Sequence, residues 1–118
     1  MLRFGKEPFL ECSSRGDKRF SALYAKVGGS SIEDQYQAFK VFEDGSTGLS
    51  REEAKGRKAV NQEEARALYS QLWDEYFSEH LQLVEVIKNY NGFSDIFGQE
   101  GHACQAEEIY RILKQYTE

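Results

Sequence analysis

One stretch of this chain limits its fold more than any other. From residue 61 onward, Ala65, Leu68, Tyr69, Leu72, Trp73 and Tyr76 recur at helical spacing, which predicts a long amphipathic helix with a wide core-facing stripe. Asn61 followed by Glu64 is a capping signal at its start. Such a stripe cannot stay in water, so other elements must cover it. Two more helical patterns are available to do so. Leu83, Val84, Ile87 and Tyr90 share a face in the segment Leu81 to Tyr90, which stops at Asn91-Gly92. Ile109, Ile112, Leu113 and Tyr116 share a face between Gln105 and Tyr116.

The first sixty residues are less regular. Phe9 and Leu10 suit a strand or an extended arm, and Ser13 to Arg19 reads as a polar loop. Phe20 to Val27 has strand-like content and ends at Gly28-Gly29. Ser30 or Ser31 then caps a helix expected to reach about Phe42, with Ser30 and Glu33 spaced as a capping box. In that helix Glu33, Gln37 and Lys40 fall on one side, and Ile32, Tyr36 and Phe39 on another. Ser50 with Glu53 marks a short helix that Gly56 weakens or ends. Phe93 to Gly101 reads as a glycine-bounded loop containing Asp95. The expected architecture is mainly α: a single compact helical domain over residues 1–118, with a small extended or β part at the N-terminus.

Length supports one domain. The chain has 118 residues, and a domain of this size buries roughly 65% of its unfolded surface, enough for a core without staples. The formal net charge of −5 disfavours broad binding to a phosphate backbone but leaves room for a local basic patch. The opening MLRFGKEPFL carries no apolar run of signal-peptide length, and no segment approaches the ~20 apolar residues of a membrane span. Cys12 and Cys104 are far apart and follow no disulfide framework. A cytoplasmic protein with free thiols and no membrane contact is expected.

Several constellations bear on chemistry. His102-Ala103-Cys104 is a tight pair with no second pair to complete a zinc site. Residues two apart also do not face each other on a helix, so this pair reads as a loop histidine and a buried thiol. No metal or cofactor is expected. Lys55-Gly56-Arg57-Lys58 gathers cations around a glycine, which suits either an anion cradle or a solvated face. Glu33 and Asp95 are the remaining candidates. Two carboxylates in one cleft can divide acid and base roles, as cleavage of a glycosidic bond through a sugar oxocarbenium-like transition state requires. Equally, Glu33 completes a capping box and Asp95 holds a turn.

The order of segments carries a resemblance. Phe20-Ser21-Ala22-Leu23-Tyr24, Gly29, the run Ile32 to Lys40, Ala54-Lys55-Gly56-Arg57 and Ser94-Asp95-Ile96-Phe97-Gly98 resemble, in sequence, the segments of the NADAR family. The helix matches are Glu33, Tyr36, Gln37, Ala38 and Lys40. The chain departs from the family pattern at Ala22, where the family has Asn, and at Asp34, where it has His. It is also shorter than a usual NADAR domain, and it resembles small phage-encoded proteins of unassigned role. The resemblance implies an N-glycosidase acting on an ADP-ribose-type or nucleotide-like substrate. Glu33 would be the main catalytic carboxylate and Asp95 the second acid at the sugar. Lys40, Lys55 and Arg57 would meet phosphates beside Gly56, and Gln37 would orient hydroxyls. Tyr24, Tyr36 or Phe97 could stack on a base, with Gly98 closing the Asp95 segment. Local contact with modified nucleic acid would follow. The alternative is a non-enzymatic module that binds a nucleotide or a protein partner, such as a phage counter-defence protein.

Overall fold

The long helix forms as its spacing predicts. It runs over Gln62–Glu79 (α3 in the order below) and buries Ala65, Tyr69, Leu72, Trp73, Tyr76 and Phe77. The computed structural model describes residues 1–98 and 103–117. In chain order the elements are β1 (Leu2–Gly5), β2 (Phe9–Glu11), a 3-10 turn at Lys18–Phe20, β3 (Lys26–Val27) and β4 (Ser30–Ser31). They continue with α1 (Ile32–Phe39), α2 (Arg51–Ala54), α3, α4 (Leu81–Ile87), β5 (Gly92–Asp95) and α5 (Gln105–Thr117).

The fold is mixed α/β: compact and rich in helix with β structure at the N-terminus, as expected, but with one further strand, β5, late in the chain that the expectation did not place. β5 comes from the segment expected to be a loop. It is the middle strand of a sheet ordered β1-β5-β2, antiparallel to β1 and parallel to β2. The reason lies in burial. All four residues of β5 are buried, so their backbone groups need ladder partners, and the two N-terminal strands supply them. Gly92 permits the crowding: a Cβ there would lie 2.6 Å from the Lys6 carbonyl oxygen and from the Phe9 ring. The register sets Leu2 opposite Asp95 and Phe4 opposite Phe93. Residues 96–98 follow as a turn, and 99–101 of the expected loop lie outside the described residues.

One core serves α3, α4, α5 and the sheet. Trp73, Phe77, Phe93, Ile87, Ile109 and Ile112 are fully buried in it, and each such side chain contributes roughly 1.5–3 kcal/mol over its exposed state. Segment 20–27 does not form the long strand its content suggested. Phe20, Ala22 and Ala25 pack into the core from turns, leaving only the two-residue strand β3. α1 ends at Phe39 rather than Phe42, because Lys40 turns extended and Val41 bridges Thr47 instead. Phe39 is 42% exposed, so the core side of α1 is Ile32 and Tyr36. Phe42, Ala54 and Ala59 form a second small cluster with Leu49, separate from the main core. Gly56, at φ +76°, ends α2 in the left-handed conformation that glycine adopts without strain. Among the described residues no helix is long and apolar enough to cross a membrane.

Candidate functional site

Glu33 and Asp95 line a single cavity of about 420 Å³, shared with Ser14, Ala22, Leu23, Arg51, Tyr69, Phe97, Ala103 and Gln105. The first turn of α1 presents Glu33. Its capping role goes to other residues: Ser31 is the N-cap and accepts a hydrogen bond from the Asp34 amide at 3.0 Å. The capping box expected between Ser30 and Glu33 is therefore absent, which frees the Glu33 carboxylate. Its Oε1 accepts from Gln37 Nε2 at 2.8 Å, and its second oxygen accepts no hydrogen bond from the described residues.

Asp95 is the last residue of β5, held on a buried strand rather than on the expected loop. It is 5% exposed. Its Oδ1 accepts from the Phe97 amide at 2.9 Å, and its Oδ2 accepts from Gln105 Nε2 at 3.0 Å. The turn that follows is pinned from β2. Glu11 accepts from the Ser94 hydroxyl at 2.9 Å and from the Ile96 amide at 3.2 Å, while Gly98 donates to the Asp95 carbonyl at 3.1 Å. Burial pushes the Glu11 carboxyl up, but hydrogen bonds from Ser13, Ile96 and Ser94 together outweigh it and hold it below the usual carboxylate range.

The Ala22 backbone joins the two acids. Its carbonyl accepts from the Glu33 amide at 2.9 Å, and its amide donates to Gln105 Oε1 at 2.7 Å. A continuous path thus runs from α1 through residue 22 and the Gln105 side chain to Asp95. Tyr69 forms another part of the wall. Burial raises its phenol well above the ordinary value, so it is a neutral hydroxyl at the cavity.

A second cleft of about 910 Å³ adjoins the first. It is lined by Gln37, Lys40, Arg51, Glu52, Ala54, Lys55, Gly56, Arg57, Lys58 and Gln62. Arg51 belongs to both linings. Five cations face one carboxylate there, against the acidic balance of the whole chain. Arg51, Lys55 and Lys58 have no ion-pair partner among the described residues. Lys40 lies 4.5 Å over the Tyr36 ring; burial pulls its ammonium down, with Glu33 acting the other way. Arg57 is already engaged, at 3.0 Å from Asp44 and 4.3 Å over the Phe42 ring.

The remaining candidates divide. Phe97 is exposed and lines the acid-bearing cavity, with the Arg15 guanidinium 5.6 Å from its ring. Gly98 packs its backbone against Leu2 and Asp95. Tyr36 is buried in the core against Tyr69, with its hydroxyl accepting from Gln62, so its ring has no open face for a base. Tyr24 is exposed beneath Lys18 and lines neither cavity. Cys12 and Cys104 are free and buried. Burial, reinforced by neighbouring carboxylates, pushes both thiols up, which leaves Cys104 a neutral thiol 4.0 Å from Asp95. His102 lies outside the described residues. Among the described residues no group of three or more His, Cys, Asp and Glu converges as a metal site.

Sequence reasoning missed Arg51, Lys58, Tyr69 and Gln105. Lys58 sat in the basic run and Tyr69 in the core stripe, whereas no local pattern marks Arg51 or Gln105. No family model, curated protein or solved structure matches the chain.

Proposed function

We propose that this protein is an N-glycosidase that hydrolyses the bond between a ribosyl carbon and a base nitrogen in an ADP-ribose-type or nucleotide-like substrate. The observation that carries the reading is the shared cavity of Glu33 and Asp95, opening at Arg51 onto a cation-lined cleft. Cleavage of such a bond develops positive charge on the sugar. Asp95, with a donor on each oxygen, serves as the fixed negative charge beside it. Glu33, with one oxygen that accepts no hydrogen bond among the described residues, takes a proton from the attacking water. The hydroxyl joins the anomeric carbon, the C–N bond breaks, and the base nitrogen leaves with the electron pair and takes the proton that Glu33 removed from the water, directly or through solvent. Lys40, Arg51, Lys55 and Lys58 receive phosphate oxygens by charge-assisted bonds, and Phe97 offers a face to the base. Arg57 acts more indirectly, since Asp44 holds it. The two free, buried thiols suit a reducing, cytoplasmic setting.

The test is release of free ADP-ribose, with guanosine as the other product, from an ADP-ribosylated guanosine. Glu33→Gln is expected to lower turnover about 10²–10⁴-fold while leaving the fold intact. Absence of ADP-ribose release by the wild-type protein overturns the reading.

One observation favours a second function. Asp95 is nearly closed off and both its oxygens are occupied, an arrangement equally suited to a binding module that holds a nucleotide without turnover. Saturable ADP-ribose binding with no product would select it.

A further inference from the structure

We propose that Gln105 is a positioning residue that sets the orientation of Asp95 and ties it to the helix bearing Glu33. The orientation of its amide follows from its partners. The Ala22 N–H can only donate, so the atom facing it at 2.7 Å is the Gln105 oxygen. The NH₂ group is then directed at Asp95 Oδ2, 3.0 Å away. Gln105 and the Phe97 amide therefore present donors to both oxygens of Asp95, and the side chain is held as an acceptor in one rotamer. On the far side, the carbonyl of the same residue, Ala22, accepts from the Glu33 amide. One side chain at the start of α5 thus sets the spacing of two acids that arrive from α1 and β5. It also accounts for Ala at position 22: the connection uses only the backbone of that residue, so no polar side chain is needed there.

Two experiments test this, one of them independent of turnover. In the wild-type protein the ¹⁵N-labelled side-chain amide of Gln105 is expected to exchange its protons slowly with solvent, and to lose that protection in Asp95→Ala. A Gln105 amide whose exchange is the same in wild type and Asp95→Ala overturns the contact.

The kinetic test rests on the glycosidase reading and uses ADP-ribosylated guanosine. Gln105→Leu is expected to lower kcat by about 10–100-fold with KM little changed. Gln105→Glu keeps an acceptor for the Ala22 amide but loses the donor to Asp95. It should be inactive at neutral pH and recover part of its kcat in acid, where the introduced carboxyl is protonated and donates in place of the amide. A merely structural role predicts no such recovery. Both variants retaining the wild-type kcat and pH profile overturns positioning. If the wild-type protein releases no ADP-ribose, the glycosidase reading fails, while the amide exchange still decides the role of Gln105.

Discussion

The two sides of the candidate site are built in different ways. The acid-bearing side is part of the main core. Asp95 ends the central strand, Gln105 opens α5, and Tyr69 projects from α3 beside the fully buried Trp73. The cation-bearing side is a loop. Residues 41–60 leave α1 and return to α3, and their ends meet where Val60 donates to the Val41 carbonyl at 2.8 Å. Asn61 holds the closure, accepting from the Val41 amide and donating to the Phe39 carbonyl. Inside the loop only Phe42, Ala54, Ala59 and Leu49 exclude water. Arg51, Lys55, Arg57 and Lys58 ride on this loop, and only Lys40 among the cleft's cations lies outside it. The lesson is a division of labour. Groups that act on a reacting carbon need fixed positions, whereas groups that neutralise phosphates tolerate a softer support, because charge attraction falls off slowly with distance.

This contrast can be broken most sharply at Trp73. Trp73→Ala removes the largest fully buried side chain and is expected to cost about 3–5 kcal/mol of global stability, read by denaturant unfolding. The acid-bearing side should lose its order together with the whole domain. Gly92→Ala comes next. Its added methyl meets the Lys6 carbonyl and the Phe9 ring inside normal contact distance, so a loss of about 1–3 kcal/mol is expected, with shifted amide resonances along β5. A tolerated Gly92→Ala would show that the sheet is looser than the contrast requires. Phe42→Ala should lower global stability by only about 1 kcal/mol, because the small cluster can open without the main core. Its signature is loss of hydrogen-exchange protection over residues 41–60, with α3 and β5 unchanged. Equal loss of protection in both regions would erase the distinction.

The smallest expected effect is electrostatic. Glu11 has a carboxyl held below its usual range by the hydrogen bonds that tie β2 to the Asp95 turn. Its folded state binds a proton less readily than its unfolded state. Its contribution is therefore complete above the ordinary carboxylate range and is lost as pH falls through the depressed value, below about pH 4. Thermal melts should fall less steeply with acid in Glu11→Gln than in the wild type. An identical acid dependence would remove Glu11 from the support of the site.

Much of the helical frame was legible in the sequence because its signals are local. The α3 stripe, the Ser50–Glu53 capping box and the stop at Gly56 all depend on neighbours a few residues apart, and the structure contains each of them. Ser31 was one of two candidate caps, and the choice between them decided whether Glu33 was spent on the helix end. Asn61 stands at the N-cap position of α3 but its side chain makes no capping bond there, because closing the loop beneath α1 engages both its oxygen and its nitrogen. β5 was hidden more completely. Gly92-Phe93-Ser94-Asp95 has turn-forming residues at three of four positions, and it is a strand only because β1 and β2 pair with it on both sides.

The sequence by itself determined the amphipathic helices, the position of the basic run and the order of the acidic segments, since periodicity and charge are written along the chain. Only the tertiary structure decided that Glu33 and Asp95 share a cavity, that Arg51 joins it to the basic cleft, and that Gln105 links the acids. The physical reason is that these relations depend on hydrogen bonds and cavity walls formed between segments distant in sequence, and on which buried backbone groups must find partners when the core closes.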